Sequence, residues 1–154
     1  MEDKATNRCC LVGGTFDRFH AGHKLLLEGA CRNSVRVEVH LTNDNMASIK
    51  SPYVQSFDTR LESILAWADE NSDCPVTIHE LDDEMGPAPT HPSADAIVAT
   101  VETRAMCEII NEMRINDGLE PLHIIEIPHL MDGAGGIVSS TRIRNGVIDQ
   151  DGNP

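Results

Sequence analysis

The chain predicts a doubly wound α/β fold, a mainly parallel sheet of five strands with helices on both faces. Three observations carry this. Short apolar or alternating runs, each of strand length, recur along the chain at residues 9–12, 35–41, 75–79, 96–99 and 122–127. Stretches of helical periodicity separate most of them, and strands alternating with helices imply parallel pairing. The first strand runs into a glycine pair and then a helix, the arrangement with which such folds build ligand sites at strand C-termini.

In order, Cys9-Cys10-Leu11-Val12 is a buried strand stopped by Gly13-Gly14. Thr15 to Phe19 form a loop, and His20-Ala21-Gly22-His23 opens a helix carrying Leu25, Leu26, Leu27 and Ala30. Val35 to Leu41 alternate, which gives a strand with one buried face. Residues 47–57, with Lys50, Pro52 and Tyr53, read as loop or irregular turn. Leu61, Ile64, Leu65 and Ala68 recur at helical spacing, with Ser56 or Asp58 as N-cap and Trp67 in the core. Pro75 to His79 is the third strand, and the acidic, proline-rich stretch 81–93 is loop. Ala96-Ile97-Val98-Ala99 is the fourth. A helix starting near Glu102 follows, with Ala105, Ile109 and Met113 on its inner stripe and Asp117-Gly118 at its end. Leu122 to Ile127 is the fifth strand, and Ser139-Ser140-Thr141 caps a short last helix. Residues 1–8 are polar and expected to fray, and 1–154 read as a single domain without repeat or linker.

Composition narrows the function. The net charge is −13, with 25 acidic residues against 12 basic ones, of which only Lys4, Lys24 and Lys50 are lysines. That argues against nucleic-acid binding. It fits a salt-adapted protein as well as an ordinary acidic one, and the field repels an anionic substrate unless salt screens it. No apolar run approaches membrane-spanning length, so a soluble, cytoplasmic protein is expected. The five cysteines lack CxxC spacing and read as reduced, mostly buried thiols rather than disulfides or zinc ligands. His79, His91, His123 and His129 show no metal-ligand spacing.

The chemistry centres on GGTFDRFHAGH, residues 13–23. A helix N-terminus after a glycine turn offers free N–H groups and a positive dipole end, which suit phosphate. Gly22 leaves room for a ligand, and His20 and His23 are three apart, so both can face one pocket. The stretch is neither GxGxxG, nor a P-loop, nor HExxH. A second motif, Val138-Ser139-Ser140-Thr141-Arg142-Ile143-Arg144, places three hydroxyls and two guanidinium groups at a helix start.

Together these resemble the HxGH nucleotidyltransferase superfamily and its Rossmann-like fold. The form GGTFDxxHxGH is that of phosphopantetheine adenylyltransferases of the archaeal and eukaryotic type. Similarity extends through Asp83-x-x-Gly86-Pro87, Asp95-Ala96-Ile97-Val98, Glu102-Thr103 and Arg144-x-Gly146. Ala99-Thr100 and Pro128-His129-Leu130-Met131 depart from the family pattern.

The resemblance implies adenylyl transfer from ATP, with Mg²⁺, to 4′-phosphopantetheine. It implies catalytic roles for His23, His20 and Thr15. ATP would be held by Gly13, Gly14, Thr15, Phe16, His20, Gly22, His23 and Glu102, and by Ser139, Ser140, Thr141, Arg142 and Arg144. Thr15, Asp44, Lys50, Asp83, Gly86 and Pro87 would contact the acceptor. Asp17 braces the glycine loop or helps place Mg²⁺, and Arg18 and Lys24 could focus positive potential. Transfer to FMN, nicotinamide mononucleotide or a sugar or polyol phosphate is an alternative within the superfamily, and a nucleotide-binding regulator without turnover is one outside it.

Overall fold

The computed structural model describes residues 7–50, 53–72 and 74–128. Its elements are β1 (Asn7–Gly14), α1 (Ala21–Arg32), β2 (Ser34–Thr42), α2 (Asp44–Lys50), α3 (Phe57–Asn71), β3 (Val76–Leu81), β4 (Ala96–Ala99), α4 (Arg104–Asn116) and β5 (His123–Glu126). The strands form one sheet in the order β3-β2-β1-β4-β5, every pair parallel. This is the predicted doubly wound α/β fold. β1 lies at its centre, and the chain reverses direction across the sheet between β1 and β4.

Alternation along β1 explains the two layers. Cys10 and Val12 face a core built with Leu27 and Ala30 of α1, Ile64 and Trp67 of α3, and Val37 and Val39 of β2. Cys9 and Leu11 face the other way, against Cys107 and Ile110 of α4 and Ala88, Ala94 and Leu122. Crossovers that carry the chain outward in opposite directions from β1 place their helices on opposite faces.

Asn7 and Arg8 join β1, where residues 1–8 were expected to fray, and the details correct three further expectations. Residues 44–50 are helical, with Met46 N–H bonded to Asn43 Oδ1, where 47–57 was expected to be loop or irregular turn. The inner stripe of α4 is Cys107, Ile110 and Arg114, whereas Ala105, Ile109 and Met113 are exposed. A charged residue completes that stripe. Arg114 is 3% exposed and donates to the carbonyls of Ala88, His91, Ala94 and Glu120, so it ties the 88–94 loop to the helix. The third concerns cysteine: Cys31 and Cys74 form a disulfide, where reduced thiols were expected. Parallel topology brings the end of α1 and the approach to β3 to the same, N-terminal end of the strands, a proximity that sequence spacing does not reveal. Cys9, Cys10 and Cys107 are buried free thiols, as expected.

Two of the caps read from sequence are present among the described residues. Ser56 accepts from Thr59 N–H to start α3, and Gly118 follows α4 with φ of +81°. The last helix expected near Ser139 lies outside the described residues.

Candidate active site

The site lies where the β1 and β4 C-termini part. The turn after β1 is under conformational strain, since Phe16 and Arg18 take φ of 52° and 48°, values uncommon for residues with a side chain. Asp17 holds it. This carboxylate is 1% exposed and accepts from Gln55 N–H at 2.8 Å and from Arg18 Nη1 at 3.1 Å. Its placement is that of a brace. Arg18 also donates to the Tyr53 carbonyl, and Lys24 Nζ sits 5.9 Å over the Phe19 ring.

His20 and His23 begin α1 as a reciprocal cap. His20 Nδ1 accepts from the N–H groups of Gly22 and His23, and His23 Nδ1 accepts from His20 N–H. The rings stack at 3.6 Å between centroids, with Phe16 and Phe19 packed on His23. An imidazole whose Nδ1 accepts carries its neutral-form proton on Nε2, so the cap sets both rings as Nε2 donors. His20 is 4% exposed, and burial pushes its pKa down from 6.5 to about 4, which keeps it neutral at physiological pH. Sequence spacing shows that the two rings share a face. It does not show that they are the helix cap, because histidine is not a usual N-cap residue.

On the α4 side of the turn lies a cavity of about 480 Å³. Gly13, Gly14 and Thr15 form its floor, Met46, Ile49, Leu81 and Pro87 are part of its wall, and Glu102 lies at α4. The chain therefore gathers Gly13, Gly14, Thr15, Pro87 and Glu102 around one space. Glu102 precedes α4, whose N-cap is Thr103. Asp83 and Gly86 shape the wall from behind. Asp83 Oδ1 accepts from Met85 and Gly86 N–H, and Gly86 has φ of +55°. There a Cβ would stand 2.5 Å from Leu81 Cδ1. Asp44 accepts from Arg60 Nη2 and Phe57 N–H. Lys50 is the last residue of α2. Ser139, Ser140, Thr141, Arg142 and Arg144 lie outside the described residues.

Two residues escape sequence reading. Arg60 is fully buried and reaches Gln55 O, Thr15 O, Thr42 O and the Thr42 hydroxyl. Thr42 in turn donates to Thr15 Oγ1 at 3.1 Å. Neither pattern has a local signal, since the partners come from separate segments around residues 15, 42 and 55.

One further group of metal-ligand types occurs among the described residues. Atoms of Cys9, Glu38 and His91 lie within 4.8 Å of one another. Their hydrogen bonding argues against a metal site. His91 Nδ1 accepts from Ser93 and Ala94 N–H, which puts the proton on Nε2, directed at Glu38 Oε1 at 3.0 Å. Arg36 Nη1 lies 2.7 Å from the same carboxylate. Burial raises the Glu38 pKa, but the bonds from Arg36 and His91 prevail and hold it at about 2. Burial and the Glu38 charge push Cys9 up to about 12, so it stays a thiol. The group is a satisfied ionic network.

This parallel sheet with a glycine turn and paired histidines at its switch point defines a nucleotidyltransferase-like protein, and residues 11–146 match the cytidylyltransferase-like family. The chain is 37% identical to the phosphopantetheine adenylyltransferase of Methanothermobacter thermautotrophicus, covering 92% of this chain and 86% of that one. It is 37% identical to the enzyme of the same name from Thermococcus kodakarensis, covering 96% and 90%. A crystal structure of a protein with unknown function from Archaeoglobus fulgidus superposes with a TM-score of 0.70 at 25% identity, over 77% of this chain and 87% of that one. The chain belongs to the phosphopantetheine adenylyltransferase family.

Proposed function

We propose that the chain transfers the adenylyl group of ATP to 4′-phosphopantetheine, forming dephospho-coenzyme A and releasing pyrophosphate. The observation that carries this is the juxtaposition of the histidine-capped turn with a largely apolar cavity opening from its glycine floor. The turn suits the transferred phosphoryl group, and the cavity suits a long, amide-bearing acceptor. The family relationship supports the same pairing.

The terminal phosphate of the acceptor attacks the α-phosphorus of ATP in line, and pyrophosphate leaves. A phosphate is already anionic near pH 7, so the reaction needs no general base. Positioning and charge stabilisation supply the rate. His23 donates its Nε2 proton to the α-phosphoryl oxygens, and His20 lies beside the ATP phosphates. Thr15 donates to the acceptor phosphate. Gly13, Gly14, Phe16, Gly22 and Glu102 shape the ATP side, and Ser139, Ser140 and Thr141, with Arg142 and Arg144, hold the outer phosphates. Lys50 and Asp44 serve the acceptor side, where Pro87 lines the wall and Asp83 and Gly86 shape it from behind. Mg²⁺ would be held chiefly by triphosphate oxygens and water and would neutralise the triphosphate charge, with Asp17 committed to bracing the turn. The described helices include none long and apolar enough to cross a membrane. The archaeal relatives and the acidic composition support the reading of a cytoplasmic, archaeal setting of high salt.

With MgATP and 4′-phosphopantetheine, the protein releases pyrophosphate, and mass spectrometry finds dephospho-coenzyme A. FMN, nicotinamide mononucleotide and glycerol 3-phosphate give little. A clear preference for one of these would overturn the named acceptor.

A further inference from the structure

We infer that Arg60 and Thr42 form a positioning relay that turns the Thr15 hydroxyl proton toward the phosphate of the acceptor. The inference rests on the reading of the cavity as the acceptor site. The relay is a chain of hydrogen bonds whose polarity is fixed at one end. A guanidinium is donor only. Arg60, fully buried on α3, donates from Nη1 to the Thr42 and Thr15 carbonyls at 2.8 and 3.0 Å, and one of these two protons is shared with Thr42 Oγ1 at 3.3 Å. Thr42 is 8% exposed, and Thr15 Oγ1, 3.1 Å away, is the acceptor that the described residues offer its proton. With the Thr42 proton between the two oxygens, the Thr15 proton must point elsewhere. Thr15 is half-buried and lines the cavity.

The direction matters because a phosphate dianion only accepts hydrogen bonds. A threonine free to rotate would present a lone pair part of the time, and one oriented beforehand incurs no such loss on binding. The same guanidinium ties together the C-terminal ends of β1 and β2, so the two hydroxyls keep their spacing. Arg60 also holds Asp44 Oδ1 at 3.1 Å, which extends the clamp to the start of α2. Neither Arg60 nor Thr42 needs to touch the reacting atoms.

The test compares two ligands that differ only in the phosphate. Calorimetric titration measures 4′-phosphopantetheine and unphosphorylated pantetheine on wild type, Thr42→Val and Thr42→Ser, with melting curves to confirm folding. The relay predicts that Thr42→Val weakens 4′-phosphopantetheine by roughly 10-fold or more, the scale of a hydrogen bond to a charged group. Pantetheine changes by less than about 2-fold, and Thr42→Ser, which restores the hydroxyl, recovers most of the loss. Equal weakening of both ligands overturns the relay and leaves the acceptor assignment standing, since a general distortion of the cavity would not distinguish the phosphate. Thr42→Val binding 4′-phosphopantetheine as wild type does also overturns it. If wild type binds neither ligand, the acceptor assignment falls and the relay falls with it. Arg60→Lys supplies a second variant. It keeps the charge but loses the fork, and it should reproduce the phosphate-selective loss if it folds.

Discussion

Removing the His23 donor tests the chemical step most directly. His23→Ala should lower kcat by roughly 10²–10³, the scale of losing one preorganised donor to developing charge. ATP affinity should change much less, because the interaction strengthens in the transition state. Single-turnover rates beside ATP titrations separate the two, and near-normal turnover would reduce His23 to half of a helix cap. His20 has a signature in stability instead. Its folded pKa of about 4 lies below the unfolded 6.5, so the unfolded chain takes up a proton that the folded one refuses. The stability of neutral His20 is complete above pH 6.5 and is lost as the pH falls to about 4. That difference amounts to about 3 kcal/mol. His20→Asn keeps a cap acceptor without a titrating ring, so urea unfolding of this variant should depend much less on pH across that window. A residual slope is expected from His40, which burial also pushes down. Below pH 4.5 the loss of the Glu38 charge takes over.

Among the elements, α4 is held by its least apolar buried residue. Arg114→Ala leaves the carbonyls of Ala88, His91, Ala94 and Glu120 without their donor. It should cost roughly 3 kcal/mol, read from chemical denaturation, and should open the 88–94 loop to proteolysis. This residue also shows why the sequence misleads. Ala105, Ile109 and Met113 make a cleaner apolar stripe than Cys107, Ile110 and Arg114, so periodicity selects the solvent face. α2 escapes for another reason: it is short, and its second half falls in the stretch 47–57 that Lys50, Pro52 and Tyr53 make read as loop. The strands and the other helices are legible because short apolar runs end in glycine, proline or a cap. At the site, the same logic exposes Thr15, His20 and His23, which share one short motif. Arg60 and Thr42 are invisible because their meaning lies in carbonyls and hydroxyls that only the folded chain assembles.

Across the whole molecule, charge outweighs every other feature. With 25 acidic against 12 basic residues, self-repulsion opposes the compact state and repels ATP. Melting temperature and apparent ATP affinity should both rise from low salt to molar KCl as screening takes hold. A melting temperature that falls steadily over that range would refute the salt-adapted reading.

The central place of β1 has a consequence for motion. β3 and β5 each have one strand neighbour, whereas β1 is bonded on both sides and covered on both faces. In deuterated buffer the amides of Leu11 and Val12 should be among the last to exchange, with those of β3 and β5 labelled well before them. The glycine turn thus hangs from the least mobile strand, and substrates arrive at a surface that breathes around a fixed point.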